Sequence, residues 1–108
     1  MEIRIYEKGG SSVIELKGDM DITSIKTIKT PIFNVVNNQD IKRLILDIEH
    51  VNYIDSSGIG ILIVTYKKMM ANNGEFYLCN VPEHVNRVLI LTQMHKIFKY
   101  CTKKDFNL

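Results

Sequence analysis

The fold is decided by two runs of sequence, RLILDI at 43–48 and YIDSSGIG at 53–60. A short, continuous apolar run predicts a buried strand, here over 43–48. The loop that follows gives way near Ser56 to an apolar helix, which the Asn72–Gly74 cluster ends. A buried strand that leads into a helix is typical of an α/β fold with parallel strands.

Upstream of these runs, the chain begins with two alternating segments. Residues 2–8 and 12–17 alternate polar and apolar side chains, and the turn signal GGS lies between them at 9–11. The pattern predicts an antiparallel hairpin. The run GDMD at 18–21 is expected to break the second strand.

A helix is predicted next, over 22–38, because its apolar residues recur at helical spacing. Pro31 lies inside this segment, where proline removes one backbone hydrogen bond. We therefore expect a bend or an irregular turn near Thr30.

Downstream of the central helix, strands and helices continue to alternate. A strand is predicted over 75–80, a third helix opens at Pro82, and a short strand covers 97–101. Only seven residues follow that strand, so any C-terminal helix is a stub. The alternation requires crossover connections and largely parallel strands, which predicts an α/β fold with a mixed sheet and an antiparallel edge strand.

The composition is that of an ordinary globular protein, with 45% hydrophobic residues and a net charge of +2. A length of 108 residues indicates one domain, 1–108. No dense basic run indicates direct nucleic-acid binding. The N-terminus does not resemble a signal peptide, and the longest apolar stretch, 59–66, is too short to span a bilayer. We expect a cytoplasmic protein with no membrane association.

Metal-binding residue types are scattered along the chain. Cys79 and Cys101 fit no paired metal spacing and are too few for a disulfide framework, so we expect buried reduced thiols. His50, His84 and His95 are expected at the surface or in loops. The sequence predicts neither a metal nor another cofactor.

The start of the second helix carries the residues of chemical interest. Its first backbone N–H groups lack partners within the helix, and Asp55 or Ser56 can accept hydrogen bonds from them. Helix capping alone would explain these two residues. Gly58 and Gly60 add a second signal, because glycine inside a helix costs up to about 1 kcal/mol relative to alanine. That cost indicates that another group approaches the backbone closely.

Apolar residues occupy both sides of this helix. One stripe is expected to face the sheet, formed by Ile59, Leu62, Ile63, Tyr66 and Met70. Ile61 and Val64 fall on the other side, in line with Ser57 and Lys68, where a helix that covers a sheet is normally polar. Exposed apolar residues there predict a partner-binding patch. The alternative is that another helix covers them.

The run DSSGIG at 55–60 resembles the STAS domain, and within that family the bacterial anti-sigma factor antagonists. The run LILDI at 44–48, the run GDMD at 18–21 and the run NVP at 80–82 match as well. The resemblance covers nearly the whole chain, apart from Pro31 and an almost absent C-terminal helix. It implies a four- to five-stranded mixed sheet with helices packed mainly on one face.

The resemblance also implies a mechanism. Antagonists of this family bind an anti-sigma factor that is a serine-protein kinase of the histidine-kinase-like ATPase fold, and binding frees a sigma factor or another target. The kinase phosphorylates the first serine after the aspartate, here Ser56, with Ser57 as the second choice. The complex then dissociates, and a serine phosphatase resets the switch. The protein would thus be a kinase substrate and not an enzyme, and a monomer when unbound.

The residues expected to bind the partner are Asp19, Asp21, Thr23, Asp55, Ser57, Gly58, Gly60, Ile61, Val64 and Lys68. Asp55 would position the loop, and Asp21 would contact the kinase or help to orient Ser56. A phosphoryl group adds about −1.5 to −2 charges, which Asp55 and Asp21 would repel, while a helix N-terminus tolerates an anion. Phosphorylation is therefore expected to act on the interface and not on stability.

Other functions have weaker support. A serine hydrolase would need G-x-S-x-G, which the chain lacks around Ser56 and Ser57. A dinucleotide site would need glycine or alanine three residues after Gly60, where Ile63 stands. The main rival is another STAS role, as a non-catalytic scaffold or as a regulatory subunit of a signalling or membrane-transport complex.

Overall fold

Two long parallel strands, β2 (Ser11–Met20) and β3 (Arg43–Ile54), form the centre of a five-stranded sheet. The computed structural model describes residues 1–108. The other elements are β1 (Glu2–Lys8), α1 (Ile25–Val36), α2 (Ser56–Ala71), β4 (Glu75–Cys79), α3 (Glu83–Leu91) and β5 (Lys99–Cys101), with short 3-10 helices at Met94–Lys96 and Lys103–Phe106. The spatial order is β1-β2-β3-β4-β5, and only β1 and β2 are antiparallel. The predicted mixed α/β sheet is confirmed.

The hairpin turn consists of Gly9 and Gly10, which both have positive φ angles, of 59° and 80°. Positive φ at both central residues is the signature of a type I′ turn, and glycine adopts it without steric cost. The turn fixes the β1–β2 register, which pairs Lys8 with Ser11 and continues in step to Glu2 opposite Lys17.

The three α-helices pack on one face of the sheet, as predicted. They share a core with inward-facing strand residues such as Leu46 and Leu78, which are fully buried. A smaller cluster on the other face consists of Val13, Ile45, Cys79 and Cys101, against which Tyr6, Tyr77, Phe106 and Leu108 pack. The short C-terminal segment therefore covers part of the sheet face that the helices leave free.

Both central strands run further than the sequence indicates. The run at 18–21 does not break β2, because β2 continues to Met20 and pairs there with Ile54 of β3. Gly18 accommodates the extension with φ of +123°, next to a register shift in the β2–β3 ladder. The ends of these strands carry the loops in which the predicted site residues lie.

Helix α1 is shorter than predicted and has no irregular turn. It spans Ile25–Val36 without interruption, with Pro31 inside it. Ile28 and Ile32 on either side of the proline are fully buried. This burial holds the helix on the sheet and offsets the one hydrogen bond that proline removes.

The remaining elements agree closely with the sequence. Pro82 is the N-cap of α3, whose Val85 and Leu89 are fully buried. The last strand is shorter than predicted, at Lys99–Cys101, and the C-terminal stub is a single 3-10 turn. None of the helices has both the length and the apolar character required to cross a bilayer.

Candidate phosphorylation and partner-binding site

Asp55 is the N-cap of α2, and its carboxylate connects two loops. One oxygen, Oδ1, accepts hydrogen bonds from the backbone N–H groups of Ser57 at 2.8 Å and Gly58 at 3.2 Å. The other, Oδ2, accepts one from the backbone N–H of Ile22 at 3.3 Å. The capping role expected from sequence is present. The same side chain also holds the β2–α1 loop against the start of the helix.

The β2–α1 loop is closed by Asp21 and Ser24. The Asp21 carboxylate accepts hydrogen bonds from the N–H groups of Thr23 at 3.1 Å and Ser24 at 2.9 Å. The Ser24 hydroxyl donates to the Asp19 carbonyl and accepts from the Asp21 N–H. The hydrogen bond from Ser24 is the main reason that the pKa of the Asp21 carboxyl is lowered. Asp21 therefore carries its negative charge at neutral pH.

Ser56 is the first residue of α2 and is exposed. Asp55, not Ser56, supplies the capping oxygen, so the Ser56 hydroxyl is not needed for the helix start. No side chain or backbone group of the chain hydrogen-bonds that hydroxyl, whereas Ser57 is half-buried. Of the two serines, Ser56 is thus the more accessible to an approaching enzyme.

The two glycines of α2 differ in their surroundings. A Cβ at Gly58 would lie 2.6 Å from the Met20 carbonyl oxygen and 2.7 Å from Ile54 Cγ1, well inside van der Waals contact. A Cβ at Gly60 would meet nothing within 4 Å. The groups that approach Gly58 are therefore the ends of β2 and β3, not a partner. Gly58 is buried, so its assignment to the partner surface is wrong. Gly60 leaves an open patch of helix backbone.

The predicted exposed stripe of α2 is only partly correct. Ile61 is 6% exposed and belongs to the main core, so it is not a surface contact. Val64 is 38% exposed, as expected. Lys68 is half-buried, with its Nζ 3.3 Å from the Asn37 side-chain oxygen and 5.3 Å from the centre of the Phe33 ring.

The fully buried residues of α2 are Leu62, Thr65 and Met69, whereas Met70, which was expected to face the sheet, is 38% exposed. The buried side of the helix is thus rotated relative to the prediction, because α2 lies between neighbours on both flanks. It packs against α1 on one side, and on the other Tyr66 meets the Phe98 ring edge-on at 5.9 Å.

Two exposed apolar residues, one in the β2–α1 loop and one near the end of β3, were missed by the sequence reasoning. Ile22, whose N–H contacts Asp55, is 68% exposed. Tyr53 is 53% exposed and pairs with Asp19 across the β2–β3 ladder. Both lie in loop or strand-end segments without a regular period, so the only available signal was their closeness in sequence to Asp21 and Asp55. Together with Val64, they provide exposed apolar surface of the kind that protein partners bury.

The site contains no assembled catalytic group around Ser56. His84 contacts the Val51 carbonyl, His50 lies beside Glu49, and neither is hydrogen-bonded to a serine. His50 and His84 are exposed, and His95 lies half-buried in the first 3-10 helix. No group of three or more His, Cys, Asp or Glu side chains is arranged to hold a metal ion. The arrangement therefore presents a hydroxyl, two nearby carboxylates and apolar surface.

Comparisons with known proteins identify the family of this arrangement. The family model of the STAS domain matches residues 2–106. An anti-sigma F factor antagonist of Paenibacillus polymyxa is 23% identical over 97 residues, covering 90% of this chain and 83% of that protein.

Two solved structures show the same fold. An anti-sigma factor antagonist from Mycobacterium paratuberculosis superposes with a TM-score of 0.83 at 25% identity, covering 93% of this chain and 84% of that one. The phosphorylated form of the Bacillus cell fate determinant SpoIIAA superposes with a TM-score of 0.74 at 19% identity, covering 96% of this chain and 95% of that one.

Proposed function

This chain belongs to the STAS domain family, and we propose that it is an anti-sigma factor antagonist whose partner binding is switched off by phosphorylation of Ser56. The observation that carries the proposal is the position of Ser56, exposed at the first residue of α2 with its hydroxyl free of protein hydrogen bonds. The relatives and structural neighbours named as anti-sigma factor antagonists support the same role.

The proposed partner is an anti-sigma factor that is also a serine-protein kinase of the histidine-kinase-like ATPase fold. In its unphosphorylated form, the protein binds this kinase and thereby frees a sigma factor or another target. A serine phosphatase restores the active form. The protein acts in the cytoplasm as a binding partner and kinase substrate, not as a catalyst.

The proposed partner surface extends from Ser56 over two segments, the β2–α1 loop and α2. It includes the β2–α1 loop with Asp19, Asp21 and Thr23, and one side of α2 with Ser57, Gly60, Val64 and Lys68, of which Val64 is exposed and the others are half-buried. Ile22 and Tyr53 extend this surface, because both are exposed apolar residues, the first at the Asp55 contact and the second near the end of β3. Asp55 itself positions the two loops relative to each other.

Phosphorylation is compatible with the fold because Ser56 lies in the first turn of α2. The N-terminus of a helix stabilises negative charge, so the modified chain stays folded. The interface changes instead, because the added charge lies next to Asp55 and near the loop of Asp21. A loss of about 2 to 3 kcal/mol in binding free energy would weaken affinity roughly 30- to 150-fold.

Affinity capture from cells of the source organism tests the proposal. Wild-type protein, Ser56→Ala and Ser56→Asp are immobilised, and the captured proteins are identified by mass spectrometry. We expect Ser56→Ala to retain a kinase of the histidine-kinase-like ATPase fold and Ser56→Asp to lose it. Equal capture by both variants would contradict the switch.

The alternative function is a non-catalytic STAS scaffold or a regulatory subunit of a signalling or membrane-transport complex. STAS domains in such roles need no regulated serine. Capture of transporter subunits by all three proteins, with no kinase, would favour this alternative.

A further inference from the structure

Strand β1 forms an open edge of the sheet. It pairs only with β2, and its seven residues leave one row of backbone groups without a partner strand. The type I′ turn makes Lys8 and Ser11 a hydrogen-bonded closing pair. Backbone groups alternate in direction along an antiparallel ladder, so the even-numbered residues of β1 face β2. The N–H and C=O groups of Ile3, Ile5 and Glu7 therefore point outward.

We propose that this edge pairs with β1 of a second copy of the chain, antiparallel, about a two-fold axis at Ile5. In this register, Ile5 faces Ile5 of the second copy, and Ile3 faces Glu7. These are the residues whose backbone groups point outward, so they form the hydrogen-bonded pairs of the new ladder. The result is one continuous sheet across both copies, with the helices of both on the same face.

The side chains of the other pairs are complementary in this register. Glu2 lies opposite Lys8 of the second copy, and by symmetry Lys8 lies opposite Glu2. Arg4 lies opposite Tyr6 of the second copy. Its guanidinium lies 4.7 Å above the Tyr6 ring of its own chain and 3.4 Å from Glu15, and in the dimer it can form a second cation–π contact with the facing ring. These are non-hydrogen-bonded pairs, in which facing side chains approach most closely.

Neighbouring registers are less favourable, which makes the choice specific. A shift of one residue would place the outward-facing N–H and C=O groups of one copy opposite residues of the other copy whose backbone groups already bond to β2. A shift of two residues in one direction opposes Arg4 to Arg4 of the second copy. A shift of two in the other opposes Arg4 to Lys8. Like charges directly opposite each other destabilise a strand pair.

The apolar side of the edge also fits a second copy. Ile5 lies at the proposed axis and is 45% exposed, although its cross-strand neighbour Ile14 is fully buried. A groove of about 580 Å³ runs between Ile5 and α1, where Pro31 and Val35 line it. Pairing brings the grooves of both copies together at the axis and removes this apolar surface from water. The opposite edge, β5, has only three residues and offers no comparable ladder.

A monomer was expected from the sequence, whereas the unpaired edge of β1 leads us to propose a dimer. The pairing is tested by exchanging the charges of Glu2 and Lys8, singly and together. Sedimentation velocity of the full chain at increasing concentration measures dimer formation. Wild-type protein is expected to dimerise. Glu2→Lys and Lys8→Glu should each weaken the dimer about 10-fold, because two attractive pairs become repulsive. The double variant should restore it. A wild-type monomer at all concentrations, or a dimer insensitive to both exchanges, would overturn the proposal.

A second variant separates pairing from folding. Ile5→Pro removes an outward-facing N–H together with a side chain at the proposed axis, and it leaves the β1–β2 hydrogen bonds in place; proline is tolerated on an edge strand in that orientation. It should keep the wild-type melting temperature within a few degrees and be monomeric. Amide exchange gives an independent measurement: the Ile3, Ile5 and Glu7 amides should become protected as the wild-type dimer forms. Failure of these tests leaves the Ser56 switch untouched, because the edge does not include Ser56.

Discussion

The carboxylate of Asp55 accepts a hydrogen bond from the backbone N–H of Ile22 at 3.3 Å, and this contact joins the two segments of the candidate site. The same carboxylate caps α2, the helix on which Ser56 lies. The position of Ser56 relative to the β2–α1 loop therefore depends on one side chain. A partner that binds both segments recognises a surface that Asp55 assembles.

Removal of this carboxylate should uncouple the loop from the helix. Asp55→Ala loses the helix cap and is expected to cost about 1 kcal/mol of unfolding free energy in urea denaturation. It should also shift the amide resonance of Ile22, which loses its acceptor. Asp55→Asn separates the two roles, because its one side-chain oxygen can still cap the helix, whereas its amide nitrogen cannot accept from the Ile22 N–H. It should keep most of the stability and still shift the Ile22 resonance. An unchanged Ile22 resonance in Asp55→Ala would show that the contact does not persist in solution.

Substitution of the two α2 glycines by alanine should change the stability of the fold in opposite directions. Gly58→Ala places a methyl group 2.6 Å from the Met20 carbonyl oxygen, and such overpacking costs roughly 1 to 3 kcal/mol. Gly60→Ala meets open space and should stabilise the helix by about 0.5 to 1 kcal/mol. Thermal and urea unfolding of both variants measures the difference. Equal effects of the two substitutions would contradict the close packing of α2 on the end of β2.

Ile61 and Val64, both predicted on the exposed side of α2, should differ in how substitution by glutamate changes stability. Ile61→Glu buries an unpaired carboxylate in the main core and should destabilise the fold by more than about 3 kcal/mol. Val64→Glu changes an exposed residue and should alter stability by no more than about 0.5 kcal/mol. Loss of partner binding without loss of stability in Val64→Glu would assign Val64 to the interface. Normal folding of Ile61→Glu would show that Ile61 is not core.

The sequence predicts the order and type of the elements because buried strands and helices differ in their apolar period. It predicts a cap at Asp55 or Ser56, since a helix start needs an acceptor, whereas the choice of Ser56 as the phosphorylated residue came from the resemblance to the STAS family. It does not predict which side of α2 is buried, because that depends on how α1 and Phe98 flank the helix. A helix with apolar residues all round has no single stripe to read.

The sequence does not predict the extension of β2, for a different reason. Gly18 within a run of polar residues is typical of a turn, but here it takes a positive φ inside the strand. Strand pairing with β3 stabilises this conformation, and pairing between residues so far apart in sequence leaves no local pattern. Ile22 was missed because the predicted helix began there, whereas the helix begins at Ile25 and leaves Ile22 in the loop.

Cys79 should make the fold sensitive to alkaline pH. Burial, followed by the neighbouring Cys101, raises the pKa of the Cys79 thiol from 9.0 to about 12. The folded chain therefore keeps a proton that the unfolded chain loses above its ordinary pKa. The free energy of unfolding is fully retained below pH 9 and falls as the pH rises toward 12, by up to about 1.4 kcal/mol per pH unit.

Urea denaturation across this range measures that slope, with Cys79→Ala as the control. The pKa values of Cys101, Tyr6 and Tyr100 are also raised, mainly by burial, and that of Tyr77 is raised mainly by its hydrogen bond to Glu75. These groups give the control a slope of its own, so the contribution of Cys79 is the difference between the two slopes. Native Cys79 should also resist alkylation at neutral pH. Identical slopes in both proteins would contradict a buried neutral thiol.

The most direct measurement is peptide-resolved mass spectrometry of the protein from its own cells, combined with calorimetric binding of the phosphorylated and unphosphorylated forms to the captured kinase. We expect phosphate on Ser56, a folded phosphorylated protein with an unchanged far-UV circular dichroism spectrum, and binding weakened at least roughly 30-fold. Phosphate on Ser57 alone, or equal affinity of the two forms, would contradict the proposed switch at Ser56.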